Sequence, residues 1–230
     1  MKAKIAMFFL IISTAAAFAL PVEEMIHKTT VNFSKIKDAR ADITFDSSLQ
    51  VFGCGGTCRR EGKLLFKAPD RLKISMEGET YIIKGNFIRK IDSKGKLFYI
   101  RLIHAPDFSI GFTPDLLPHN FILAMKKNSS GEALIEGLPK PGVLKNIKKV
   151  VFCINTNEYL LKSMVMEFHN KRIVGDAEIK YNKINNIWVP YKTKGRSALE
   201  IADGFLAGFY FNLEGKNFVI NSGVLDSEFN

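Results

Sequence analysis

A period-two alternation of apolar and polar residues recurs along this chain and limits the folds open to it. Arg71-Leu72-Lys73-Ile74-Ser75-Met76 and Ile173 through Tyr181 both follow it. Successive side chains of an extended chain point to opposite faces, so such a pattern makes strands with one face buried. Turn signals separate these segments at Glu77-Gly78, Lys84-Gly85-Asn86, Asp92-Ser93-Lys94-Gly95, His169-Asn170, Asn182 to Asn186 and Glu214-Gly215. Short segments joined in this way form an antiparallel meander. No repeat of fixed length stands out, which removes solenoids. With 230 residues, 47% of them hydrophobic, the chain can bury a core as one domain.

Two segments depart from the alternation. Val22, Met25, Ile26, Phe33 and Ile36, with Thr29 between them, recur mostly at spacings of three and four, and Glu23 and Glu24 fall in the first turn. That is an amphipathic helix with acids at its positive end. In the middle, Thr113-Pro114-Asp115 offers a cap and a first-turn proline ahead of Leu116, Leu117, Phe121, Ile122 and Met125, which predicts a second helical segment with a possible break at Pro118. After Gly137-Leu138-Pro139-Lys140-Pro141-Gly142, strands resume from Lys148 to about Ile220. The expected fold is mainly β within the α+β class: one long, curved antiparallel sheet whose face is covered by an N-terminal helix and a central helical lid.

The N-terminus reads as an export signal: basic Lys2 and Lys4, an apolar run from Ile5 to Ile12, and small residues ending at Ala17-Phe18-Ala19. Cleavage after Ala19 leaves a single domain over residues 20–230, exported to the periplasm, with no cysteine at the cleavage point to carry a lipid anchor. The whole chain has 33 basic and 23 acidic residues, a net of +10, and losing the two leader lysines leaves +8. Such a charge favours transient contact with anionic membrane surfaces, although the lysines are scattered. No basic helix or stacking platform points to nucleic acid.

Oxidising surroundings bear on Cys54, Cys58 and Cys153. The Gly55-Gly56 spacer offers a tight turn for a Cys54–Cys58 disulfide, with two free thiols as the alternative and a metal site a weaker one, since no histidine is near. Cys153, inside an apolar run, reads as a buried small hydrophobe. The chain lacks a Gly-x-Ser-x-Gly elbow, a P-loop and a paired-histidine zinc motif. Its four histidines are scattered, so neither catalytic residues nor a metal or cofactor site are expected, and an enzyme is disfavoured.

The stretch Gly62-Lys63-Leu64-Leu65-Phe66-Lys67-Ala68-Pro69-Asp70-Arg71-Leu72-Lys73-Ile74 resembles the periplasmic outer-membrane lipoprotein carrier and lipoprotein-sorting (LolA-like) family, through Gly62, Leu64, Phe66 and Pro69. Ala39 to Ile43, Tyr81 to Asn86 and Asn221 to Phe229 are similar to family segments in the same order. The resemblance implies an incomplete barrel and a soluble carrier that holds acyl chains of lipoproteins or lipids in an apolar cavity, with membrane-associated donor and acceptor proteins as partners. A lipoprotein-sensing module acting through a protein partner is the alternative on the same fold. Two departures mark a divergent relative: Ala68 stands where the family has an Arg that helps hold the lid closed, and Arg89 where it has a Trp.

The candidate cavity residues are Leu64, Phe66, Leu72, Ile74 and Met76 on strand faces, closed by Leu116, Leu117, Phe121 and Met125. Alternation places the first five on common faces but leaves open whether that face is a filled core or a hollow.

Overall fold

The structure is a computed structural model. It describes residues 21–51, 54–84, 87–101, 117–142, 144, 147–169, 174–202 and 205–229. The expected signal over residues 1–19 and the candidate Leu116 lie outside them.

Helix α1 (Val22–Ser34) forms where the three-and-four spacing placed it, opened by the Met25 amide donating to Pro21 O at 3.1 Å. It buries Met25, Ile26, Thr29 and Phe33. The Thr29 hydroxyl avoids a buried unsatisfied group by donating to Met25 O, one turn back, at 2.9 Å. Asn32 fixes the helix to the sheet by donating to Glu158 O at 2.5 Å, and Lys28 lies 4.8 Å over the Tyr159 ring.

Thirteen described strands follow: β1 (Asp38–Val51), β2 (Cys54–Lys67), β3 (Arg71–Met76), β4 (Glu79–Lys84), β5 (Phe87–Ile91), β6 (Leu97–Arg101), β7 (Phe121–Ser129), β8 (Glu132–Pro139), β9 (Ile147–Asn155), β10 (Leu160–Phe168), β11 (Val174–Ile184), β12 (Ile187–Ala202) and β13 (Phe205–Ile220). They make one antiparallel sheet in the order β6-β5-β4-β3-β2-β1-β13-β12-β11-β10-β9-β8-β7. Every neighbouring pair is a hairpin of consecutive strands except β1 with β13. Two meanders are thus sewn together along one seam. The sheet does not close, and its two edge strands, β6 and β7, are consecutive among the described strands. The expected mainly β, incomplete barrel with helices on one face is therefore the architecture observed.

Two local expectations give way. Of the expected central helix the described residues hold one turn, α2 (Leu117–Asn120), its expected cap at Thr113-Pro114-Asp115 lying outside them, and Phe121 to Met125 open strand β7 instead of extending a helical lid. Phe121, Leu123 and Met125 point to the core while Ile122, 58% exposed, points out. A period of two was present beneath the three-and-four spacing, and the β8 ladder, with Phe121 opposite Pro139 and Met125 opposite Ile135, decides between them. Likewise Gly55-Gly56 does not turn: β2 runs unbroken from Cys54, each residue paired with β1. Four residues along a strand span roughly 13 Å, about twice the Cα separation a disulfide tolerates. The expected Cys54–Cys58 bridge is not formed, and Cys58 is a free, exposed thiol. Cys153 is also free and half-buried, its thiol pushed up chiefly by burial.

Three clusters hold the sheet. On the inner face, the one α1 covers, Met25 and Ile26 pack with Leu117, Phe121, Ile135, Phe152 and Leu161 over the β7–β11 half. Phe121 and Phe152 meet edge to face at 5.9 Å. A smaller cluster joins Ile36 at the exit of α1 to Ala39 and Val189, with Phe66 and Phe218 against it. On the outer face, Val224 and Phe229 of the C-terminal segment pack on Ile82, with Leu65 and Ile91 beside them.

That C-terminal segment is a strap tied to β1, β2, β3 and β5. Asp38 accepts from the amides of Ser222 and Gly223, and Arg40 clasps Glu228 with two bonds of 2.7 and 2.8 Å. Asp226 pairs with Lys67 at 2.5 Å and Arg71 at 3.1 Å, while Lys73 donates to Glu228 O and Arg89 to Phe229 O.

Candidate functional site: an apolar band on the inner face

Directly opposed residues of an antiparallel pair share a face, so the register says which side chains stand together. Phe66 lies opposite Leu72, Leu64 opposite Ile74, and Gly62 opposite Met76. The five strand candidates Leu64, Phe66, Leu72, Ile74 and Met76 therefore form one patch. It faces inward, because Phe66 also pairs with Ala39 in the cluster at the exit of α1. The patch continues across the seam: Gly62 pairs with Ile43, and Phe45 pairs with Leu213, which with Phe211 lies on the same face. Phe209 and Phe211 stack at 6.2 Å.

Of these large side chains only Ile43 is fully buried, and the others are partly covered. The sheet thus presents a continuous band of half-covered apolar surface on its inner side, a feature that marks a binding surface more often than an ordinary exterior. Beneath the C-terminal end of α1 the band narrows into a cavity of about 60 Å³ lined by Phe33, Ile36, Leu64, Phe66, Leu213 and Phe218, among others. That is well below the few hundred Å³ of a closed ligand pocket, so the open band supplies most of the contact area.

Close packing along the band depends on missing side chains. A Cβ at Gly62 would stand 2.1 Å from Ser75 O, and one at Gly195 would meet Asp176 O at 2.3 Å and the Phe211 ring at 2.8 Å. Only glycine lets the strands approach and the ring lie flat there.

The helical-lid candidates are elsewhere. Leu117 and Phe121 are 2% and 1% exposed in the core against α1, and Met125 packs on that core from β7. The structure brings the five strand candidates together and leaves Leu117 and Phe121 without open surface. Phe45, Phe209, Phe211 and Leu213 join the band without being among the candidates, although the alternation Phe209-x-Phe211-x-Leu213 carries the same signal as Arg71 to Met76.

A charged group borders the band. Arg60 lies opposite Phe45, Glu79 opposite Met76, Tyr81 opposite Ile74, and Lys90 opposite Tyr81, all on the inner face. Lys90 Nζ lies 2.6 Å from Glu79 Oε1, while Tyr81 Oη at 2.7 Å and Arg60 Nη1 at 3.0 Å donate to Glu79 Oε2. The Lys90 ammonium first, then the Tyr81 hydroxyl and the Arg60 guanidinium, hold the Glu79 carboxyl down to about 2. The Lys90 ammonium is pushed up in return by Glu79.

The outer face carries a wider hollow of about 1050 Å³. Four cross-strand ion pairs, Arg59–Asp46, Lys194–Glu178, Arg196–Asp176 and Lys162–Glu132, line it together with the exposed Val165 and Tyr210. Each charge there has its counter-charge, as befits a solvated sheet face. Among the described residues no group of three metal-ligating side chains occurs, and no helix is long and apolar enough to cross a membrane.

The two departures from the LolA-like pattern lie away from the band. Ala68 is exposed in the β2–β3 turn, its amide donating to Lys37 O at 2.8 Å, and Arg89 is on the outer face, holding the strap.

No family model matches the chain, and none of the curated proteins matches it. Solved structures share its fold. A DUF1329 family protein from Desulfovibrio piger superposes with a TM-score of 0.66 at 14% identity, over 91% of this chain and 97% of that one. A LolA superfamily protein from Nitrosomonas europaea gives 0.63 at 11% identity, over 92% and 98%. An outer membrane lipoprotein-sorting protein domain from Vibrio parahaemolyticus gives 0.63 at 12% identity, over 91% and 97%. The chain thus has a LolA-like fold.

Proposed function

We propose that this protein is an exported, periplasmic carrier that receives the acyl chains of lipoproteins or lipids on the inner-face apolar band and moves them between envelope membranes. One observation carries the reading: on a LolA-like fold, Leu64, Phe66, Leu72, Ile74 and Met76 form one half-covered apolar surface rather than a filled core. Covering an acyl chain of a dozen methylenes on such a surface releases about 0.8 kcal/mol per methylene before ordering costs, enough for a reversible micromolar complex. A carrier needs that balance, since cargo must also leave. The role calls for no cofactor and no catalytic group. Membrane-associated donor and acceptor proteins are the expected partners, and residues 20–230 the working unit after cleavage following Ala19.

The test is binding of a fluorescent acylated peptide by the mature protein and by Ile74→Asp, with thermal unfolding measured on both. The unmodified protein should bind saturably, and the variant should lose at least ~10-fold in affinity, about 1.4 kcal/mol, while keeping a cooperative transition. Absence of acyl binding by the unmodified protein would sink the carrier reading and leave the fold.

A further inference from the structure

The geometry points to a second subsite beside the apolar band: Arg60 and Lys90 receive the single anionic headgroup, carboxylate or phosphate, of the amphiphile whose acyl chain lies along Leu64, Ile74 and Met76. This inference rests on the carrier reading and narrows its ligand class.

Charge and placement carry it together. Arg60, Glu79 and Lys90 have side chains only 35%, 23% and 27% exposed and stand on the apolar inner face, Arg60 opposite Phe45, Glu79 opposite Met76, and Lys90 opposite Tyr81, which is itself opposite Ile74. Two cations share one carboxylate there, leaving one positive charge beside an apolar surface. An ion cluster in such a place adds little stability over apolar residues of similar size. Its donors are also not used up. Arg60 spends Nη1 on Glu79 and Nε on the Cys58 sulfur at 3.3 Å, and Lys90 turns one N–H to Glu79 while lying 5.4 Å over the Tyr81 ring. Arg60 Nη2 has no partner among the described residues, Lys90 faces only Glu79 and the Tyr81 side chain, and the fork of Arg60 suits a carboxylate or phosphate. Tyr81, opposite Ile74, supplies a ring at the boundary between the charged and apolar parts.

Glu79 orients both cations but also competes with an incoming anion. That gives the proposal a consequence a merely structural ion pair would lack. Removing the Glu79 charge leaves two positive charges facing the band and should strengthen anion binding, even if it costs stability.

The experiment is competition of laurate, 1-lauroyl lysophosphatidylglycerol and dodecanol against a fluorescent neutral acyl ester on the mature protein, at pH 7 and low salt. The three competitors share a twelve-carbon chain, and the first two separate a fatty-acid carboxylate from a phospholipid phosphate. At least one anionic competitor should displace the probe ~10-fold more effectively than dodecanol. In Lys90→Met that preference should fall severalfold with dodecanol affinity kept, and in Glu79→Gln it should grow. Equal displacement by charged and neutral competitors, or a preference that neither variant moves, overturns the headgroup subsite while leaving the carrier reading intact. No displacement by any of the three overturns both.

Discussion

Glu79 is the residue whose charge state the inner face depends on. Its carboxyl is held to about 2 against an ordinary 4.5, so the folded state favours the ionised form. A depressed carboxyl contributes stability that is complete above the unfolded value, near 4.5, and is lost as pH falls from there towards 2. Acid unfolding followed by circular dichroism should show this: Glu79→Gln should lower stability at pH 7 and flatten its dependence between pH 4.5 and 2, because the titrating group is gone. Asp226 and Glu228 of the strap are lowered by Lys67 and Arg40 respectively and add to the same acid slope, so the variant flattens the profile without abolishing it. Equal slopes for both proteins would show that Glu79 is not held by its three partners in solution. Gly62 makes a different point at this scale. It belongs to the degenerate pattern by which the sequence resembles LolA-like proteins, and the structure supplies the physical reason, a carbonyl too close to admit a Cβ.

At the scale of elements, strands β2 and β3 and strand β7 divide the work. The inner side chains of β2 and β3 are half-covered, whereas Phe121 at the start of β7 is enclosed by Phe152, Met25 and Ile135. Phe121→Ala should therefore cost about 3–5 kcal/mol in urea unfolding, and Ile74→Ala no more than ~2 kcal/mol, since less of its surface leaves water on folding. A similar loss for both would mean that the band is packed as tightly as the core. This division was only partly legible beforehand. Alternation at Arg71 to Met76 is strict, so strand, face and neighbours could be read directly. Around Phe121 the same residues satisfied both periods, and a proline-led cap tipped the reading towards helix, whereas pairing with β8, a tertiary fact, chose the strand. Gly55-Gly56 spoke for a turn on local grounds, and pairing with β1 overrode it too. The charged group could not be read at all, because Arg60, Glu79 and Lys90 are brought together by register across β2 to β5 and by nothing in their local sequence.

For the whole molecule the seam between β1 and β13 sets the order of assembly. Each meander needs only hairpins, whose ends are a few residues apart, but β1 must find a partner more than 150 residues downstream, with Val51 opposite Ala207 and Ala39 opposite Ile220. Loop-closure entropy delays such a contact, and topologies that depend on one fold slowly. Pulse-labelling hydrogen exchange during refolding should find amides of the β8–β9 and β3–β4 hairpins protected before those that cross the seam, and simultaneous protection everywhere would contradict this order. Until the seam forms, the β1 and β13 margins are unpaired edges, open to strands of other chains. The far part of the inner band is completed at the same moment, since Phe45 and Leu213 meet only across the seam. A chain whose last strand has not yet arrived carries the β2–β3 patch alone, and the apolar surface gains its full length only when β13 closes onto β1.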